Sequence, residues 1–269
     1  MTDTMLEARS VSKYFGGLKA VDSVDMSIPR GSIFGIIGPN GAGKTTFFNL
    51  CSGVYKPTSG RIVFAGEDIT ALAPEMIARR GIARTFQNIK LFKYMTVLEN
   101  VKIGFHIRTR TGIASAMLHS QRYHDDEELA AGKGLDILRQ VGLDSHKDTL
   151  ASNLPYGLQR MVEIARALAL APKILLLDEP AAGMNPSETR DLSVFIKKLN
   201  VAGYTIAVIE HDMKFVMGTC DRILVLNFGK KICEGRPEQV RSDKGVNEAY
   251  FGKGMKDAIA ARPGAAEGV

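Results

Sequence analysis

The residues Gly38-Pro39-Asn40-Gly41-Ala42-Gly43-Lys44-Thr45 fit the pattern Gly-x-x-x-x-Gly-Lys-Ser/Thr without a mismatch. Glycines at those positions let the backbone curl until several N–H groups face one anion, at the positive end of the helix that follows. Lys44 then reaches the β- and γ-phosphates of a nucleoside triphosphate, and the Thr45 hydroxyl is a ligand for Mg²⁺. A plain glycine-rich turn is the bland alternative. It does not account for a strand before the motif and a helix after it.

Ile174-Leu175-Leu176-Leu177-Asp178-Glu179 reads as a buried strand ending in two carboxylates. Asp178 is thereby placed near the metal and Glu179 where it can polarise a water. Acidic residues often end strands, so the pair gains its meaning from the phosphate loop upstream. Between the two motifs, Thr85-Phe86-Gln87-Asn88 offers Gln87 as a ligand for metal and water, or as a solvated loop amide. Glu210-His211-Asp212 places His211 at a strand end within reach of a γ-phosphate, unless it is a lone surface histidine. Leu154-Pro155-Tyr156-Gly157-Leu158-Gln159-Arg160 opens a helix a short distance before the acidic strand.

The elements that must position these groups alternate. Leu6 to Ile37 is strand-like, with turns at Phe15-Gly16-Gly17 and Pro29-Arg30-Gly31 and a buried strand over Ser32 to Ile37. A helix is predicted from Lys44 to about Val54, and a strand from Gly60 to Ala65. The middle, about Met95 to Leu150, lacks strand runs and reads as helical, with breaks at Gly112 and at Gly132 to Gly134. Leu158, Met161, Val162, Ala165 and Leu168 share one helical face. The strand Ile174 to Leu177, a helix Pro186 to Asn200 and strands Thr205 to Ile209 and Ile223 to Leu226 follow. The last dozen residues read as a frayed tail. This is an α/β nucleotide-binding core interrupted by a helical segment.

Composition narrows the class. With 45% hydrophobic and 24% charged residues among 269, the chain is ordinary for a globular protein. The excess of 35 basic over 29 acidic residues gives +6, which suits a nucleotide, nucleic acid or anionic membrane equally. Met1 to Ser10 lacks a signal peptide's apolar core, and no run is long enough to span a membrane. The chain is therefore expected to stay on the side where it is made, unless a partner holds it at a membrane. Cys51, Cys220 and Cys233 have no metal-like spacing and are expected as reduced thiols. No repeat is visible, which excludes a tandem of two cassettes.

The order of these motifs resembles the ATP-binding subunits of ABC transporters over Leu6 to about Gly252. The resemblance implies a mainly parallel core sheet, an N-terminal antiparallel β subdomain and an inserted helical subdomain over about 95–155, all within one domain, 1–252, with a flexible tail over 253–269. It implies ATP and Mg²⁺ as cofactors. ATP would be bound by Gly38, Pro39, Asn40, Gly41, Ala42, Gly43, Lys44, Thr45 and Thr46, with Phe15 stacked on adenine and Tyr14 a lesser substitute. The metal set would be Thr45, Gln87 and Asp178, and the catalytic set Glu179, His211 and Gln87. Leu154, Pro155, Tyr156, Gly157, Leu158 and Gln159 stand where the family has its signature loop, which acts on the ATP of a partner.

Two departures are informative. The usual signature is Leu-Ser-Gly-Gly-Gln, and here Pro155 supplies neither the serine hydroxyl nor a backbone N–H. The N–H groups around Tyr156, Gly157 and Leu158 remain as anion donors. Asn185 stands where Asp is common, and Asn185-Pro186-Ser187-Glu188 reads as a helix cap. Together with Arg84-Thr85-Phe86-Gln87, Leu91-Phe92 and Glu210-His211-Asp212-Met213, these features resemble the branched-chain amino acid class of importers. That resemblance implies a second, different ATP-binding subunit, two membrane-spanning permease subunits, indirectly a substrate-binding protein, and no nucleic acid. The chain would lie at the cytoplasmic face of the membrane, with Ile89, Leu91, Phe92, Tyr94 and Met95 at least partly exposed toward a permease helix. The basic segment His106 to Arg122 reads as a solvated helix on the core, or as a contact to lipid or a membrane partner. A soluble ABC ATPase in DNA repair, translation or cofactor assembly is the rival, but long heptad coiled coils and a second cassette are both missing.

Overall fold

In the computed structural model, which describes residues 3–105 and 121–251, two long strands come first. β1 (Thr4–Phe15) and β2 (Leu18–Pro29) pair antiparallel across the turn at Gly16-Gly17. With β4 (Ser59–Phe64) and β5 (Glu67–Asp68) they form a four-stranded antiparallel sheet of order β2-β1-β4-β5.

A second sheet has six strands in the order β10-β9-β3-β8-β7-β6. It contains β3 (Ile33–Ile37), β6 (Ile82–Arg84), β7 (Ile174–Asp178), β8 (Thr205–Ile209), β9 (Arg222–Asn227) and β10 (Lys230–Gly235). Neighbours among β9, β3, β8, β7 and β6 run parallel, and only β10 is antiparallel. Both faces of this sheet are covered, which is why its strands read as unbroken apolar runs. Ile33, Leu175, Leu177, Ile206, Val208 and Val225 point into one core, and Phe34, Ile36, Ile174, Leu176, Ala207 and Leu226 into the other.

The second core is closed by the antiparallel sheet and by α1 (Lys44–Cys51) with Phe47, Phe48 and Leu50. The first is closed by helices: α3 (Val97–Phe105), α4 (Gln121–Gln140), α5 (Tyr156–Leu168), α6 (Pro186–Val201) and α7 (Met213–Thr219). Short helices α2 (Pro74–Arg80), α8 (Pro237–Ser242) and α9 (Lys244–Phe251) complete the described chain. The face predicted for α5 packs as expected, with Val162, Ala165 and Leu168 fully covered.

Several expectations are corrected. The first helix stops at Cys51 rather than near Val54, because Gly53 turns the chain at φ 75°. The break predicted at Gly132 to Gly134 does not occur, since α4 runs through both glycines. Gly134 is instead a packing device: a Cβ there would lie 2.9 Å from Leu98 Cδ1 on α3. The strand β6, absent from the sequence reading, is only three residues long and gains its place by pairing with β7. The break predicted at Gly112 and the C-terminal tail lie outside the described residues, as does most of the basic segment.

Candidate active site

The phosphate loop leaves the end of β3 and enters α1. Two glycines explain why no other residue serves there. A Cβ on Gly38 would lie 2.2 Å from the Leu226 carbonyl oxygen, and one on Gly43, at φ 96°, 2.3 Å from that of Ala20. The loop is thus pressed against β9 and β2, and its Ala42 N–H donates within the loop to the Pro39 carbonyl at 3.1 Å. Lys44 is buried, and its Nζ donates to the carbonyls of Gly38 at 2.7 Å and Pro39 at 3.1 Å. Burial pulls its pKa below the ordinary 10.5, opposed by the carboxylates of Glu179, Asp178 and Glu210.

Asp178 ends β7, as expected, and is buried. Its Oδ2 accepts a 2.7 Å bond from Arg84 Nη2, while its Oδ1 is buried without a hydrogen-bond partner. Arg84 also donates to Asn49 Oδ1 and Ser52 Oγ on and just after α1. Arg84 stands next to the quoted Thr85-Phe86-Gln87 motif, but only the tertiary pairing reveals its partner.

Glu179 follows in a left-handed conformation, φ 47°, uncommon for a residue with a side chain. Its N–H donates to the Ile209 carbonyl at 2.9 Å, so β8 holds the turn from behind. Gln87 Nε2 donates to Glu179 Oε2 at 2.9 Å, and His211 Nδ1 lies 4.0 Å from the same oxygen. Three residues read separately from the sequence therefore meet at one carboxylate. Glu210, unassigned until now, is fully buried between them; it accepts from the N–H of Ala181 at 2.8 Å and of His211 at 3.2 Å. Desolvation raises its pKa above the usual carboxylate value, and those two N–H groups oppose the rise.

A cleft of about 640 Å³ lies over this loop, lined by Asn40 to Thr46, Gln87 and Glu179 together with Leu18, Lys19, Ala20 and Phe228. Phe15 is not among the lining residues; its ring, 43% exposed, packs edge-on to Tyr55 with centroids 5.3 Å apart. Tyr14 donates its hydroxyl to Asp22 at 3.0 Å. Phe228 was missed by sequence reading. Its only sequence signal is the Asn227-Phe228-Gly229 turn between β9 and β10.

Leu154 to Gln159 do not line the cleft. Pro155 caps α5 without a side-chain hydrogen bond, and Tyr156 is exposed. The first N–H groups of such a helix have no acceptor within it. Asn185 is the helix cap that was expected: its Oδ1 accepts from Ser187 and Glu188 N–H, and Glu188 Oε2 accepts from Asn185 N–H at 2.8 Å. In the apolar stretch, Phe92 and Tyr94 are exposed at 52% and 93%, while Leu91 packs on the core.

A glycine-rich loop between strand and helix, with an acidic pair on the adjoining strand but one, defines a phosphate-loop ATPase. Residues 21–182 match the model of the ABC transporter family, and the chain belongs to that family as an ATP-binding cassette. It is 44% identical over 254 residues to the high-affinity branched-chain amino acid transport ATP-binding protein LivG of Escherichia coli (strain K12), covering 94% of this chain and 100% of that one. It is 42% identical to BraF of Pseudomonas aeruginosa, a protein of the same description, with the same coverage. Among solved structures, the ADP conformation of MJ1267, an ATP-binding cassette of an ABC transporter, superposes with a TM-score of 0.82 at 36% identity, covering 93% of this chain and 99% of that one.

Proposed function

We propose that this chain binds and hydrolyses ATP to energise uptake of branched-chain or related amino acids. It does so at the cytoplasmic face of a membrane, beneath two permease subunits and paired with a second ATP-binding subunit. A substrate-binding protein delivers the cargo to the permeases. The observation that carries the reading is the convergence of Gln87 and His211 on Glu179 beside the phosphate loop, in a chain that matches LivG proteins end to end.

In this reading the β- and γ-phosphates displace the carbonyls of Gly38 and Pro39 as partners of Lys44. Glu179 accepts a proton from the attacking water, Gln87 orients that water and His211 contacts the γ-phosphate. Thr45, Gln87 and Asp178 suit Mg²⁺, and the orphaned Asp178 Oδ1 is the buried oxygen that fits such an ion or its water shell. Mg²⁺, when bound, neutralises charge on the phosphate oxygens. Arg84 holds the other Asp178 oxygen, which keeps the carboxylate oriented.

No residue of Leu154 to Gln159 reaches this chain's own cleft, which supports a shared site. The signature helix offers its N–H groups to ATP on the partner, and the partner reciprocates. Phe92 and Tyr94 supply an exposed aromatic surface for a permease helix.

The test is to isolate the Glu179→Gln variant from detergent-solubilised membranes with ATP and identify what accompanies it. Two multi-spanning proteins and a second ATPase are expected. Recovery of ribosomes or DNA-repair factors in their place keeps the ATPase and defeats the transport reading.

A further inference from the structure

Arg160 is the largest fully buried side chain among the described residues, and it carries a charge. It sits in the second turn of α5, directly after Gln159, the last residue of the signature loop. A buried guanidinium is tolerated only where an opposite charge and hydrogen bonds compensate it; here both terminal nitrogens are paired, while Nε is buried without a partner. Its Nη1 donates at 2.7 Å both to Glu163 Oε2 and to the Phe86 carbonyl. Its Nη2 donates at 2.7 Å to the Gln87 carbonyl and at 3.3 Å to the Tyr156 hydroxyl. Glu163, also buried, returns the contact by accepting from the Phe86 N–H at 3.4 Å.

The ion pair between Arg160 and Glu163 is therefore internal to α5, as is the bond to Tyr156, whereas three further hydrogen bonds grip the Phe86 N–H and the carbonyls of Phe86 and Gln87. No apolar packing alone would choose those two carbonyls. They belong to the loop whose Gln87 side chain donates to Glu179. At the other end, the Tyr156 ring abuts the turn after Glu179, where a Cβ on Gly183 would lie 3.1 Å from Tyr156 Cε1.

We propose that the buried Arg160–Glu163 pair is a positioning device that locks the Gln87 loop to the signature helix, so that movement of α5 against a partner's ATP moves Gln87 relative to Glu179. Arg160 touches no nucleotide in this scheme; it acts through the Gln87 backbone. The inference rests on the role proposed above for Gln87. It adds which side chains of this chain tie that loop to the helix: Arg160 and Glu163.

The test uses the full-length chain with Arg160 and Glu163 both replaced by Met, which removes the pair without stranding one charge. Amide hydrogen exchange over residues 84–90, ATP affinity and ATP turnover are compared with the unaltered chain, each also on a Gln87→Ala background. Exchange is expected to rise about 10-fold in that loop alone, and turnover to fall about 10-fold with ATP affinity within about twofold, with no further fall once Gln87 is Ala. Unchanged exchange, or an equal loss of turnover on both backgrounds, overturns the proposal and leaves the pair as packing only. Should Gln87→Ala by itself leave turnover intact, the role of Gln87 fails, and the exchange measurement still decides whether the tie exists. If the double Met chain does not fold, Arg160→Lys makes the same comparison, because a single ammonium cannot bridge two carbonyls and a carboxylate as the fork does.

Discussion

On the function proposed above, the chain carries two anion cradles at helix N-termini, and they are built on opposite principles. The loop at Gly38 to Thr45 is closed from behind by the carbonyls of Leu226 and Ala20, so tightly that two of its glycines have no room for a methyl group. It is further supplied with a buried lysine. The loop at Leu154 to Gln159 has nothing comparable: its capping residue is a proline without a donor, and Tyr156 is 44% exposed. One cradle is complete and preorganised within the chain. In the function proposed above, the other is half a site, and its strength depends on what is brought against it. The contrast suits a machine in which nucleotide is first bound by one subunit and only then bridges two.

Breaking the first cradle has the largest expected effect. Gly43→Ala forces a side chain to φ 96° and into the Ala20 carbonyl. A cost of about 3 kcal/mol corresponds to roughly 100-fold weaker ATP binding, read by equilibrium titration. Restoring a hydroxyl and an N–H to the second cradle with Pro155→Ser sharpens the contrast from the other side. One added hydrogen bond is worth about 1 kcal/mol, so nucleotide-driven dimerisation should tighten about 5-fold by sedimentation. Weaker dimerisation would mean that the backbone donors had depended on the proline geometry.

Asn185→Ala removes the capping box beside the turn that carries Glu179. It should destabilise the fold by about 1 kcal/mol, a melting shift of roughly 2–4 °C, while ATP binding by the first cradle is unaffected. The smallest effect concerns the thiols. Burial pushes Cys51 and Cys220 up to about 12, so both stay protonated at neutral pH, whereas Cys233 is half-buried with a smaller rise. Thiol titration at pH 8 should modify Cys233 first, with Cys51, which lies in α1 behind the phosphate loop, reacting only after denaturation. Early reaction of Cys51 would show that the first cradle is looser than its packing implies.

Local patterns were readable where one element carries the whole signal. β3, β7, β8 and α6 lie within one or two residues of their predicted spans, because buried parallel strands are apolar on both faces and Asn-Pro-Ser-Glu caps a helix with its own side chains. The helix through Gly132 and Gly134 was misread because glycine there serves the approach of α3, a contact invisible to local propensity. β6 and β10 were not anticipated, since these edge strands gain their place by pairing with β7 and β9 rather than from their own pattern. In the site, Gln87, Asp178, Glu179 and His211 were legible by type and order. Arg84 and Glu210 were not, because each is held by a partner distant in sequence, Asp178 and the Ala181 N–H, and Phe228 was not, because only the fold brings its turn beside the phosphate loop.

The sequence by itself determined the chemistry: a loop of glycines ending in Lys44 and Thr45, and a strand ending in Asp178 and Glu179, have few other uses. Only the tertiary structure decided the geometry. It brought Gln87 and His211 to one oxygen of Glu179, packed the Phe15 ring edge-on to Tyr55, and fastened the Gln87 loop to Arg160. The reason is physical. Which residue types can hold a phosphate or a proton is a local property, whereas which carbonyls must satisfy a buried guanidinium is settled only when distant segments pack together.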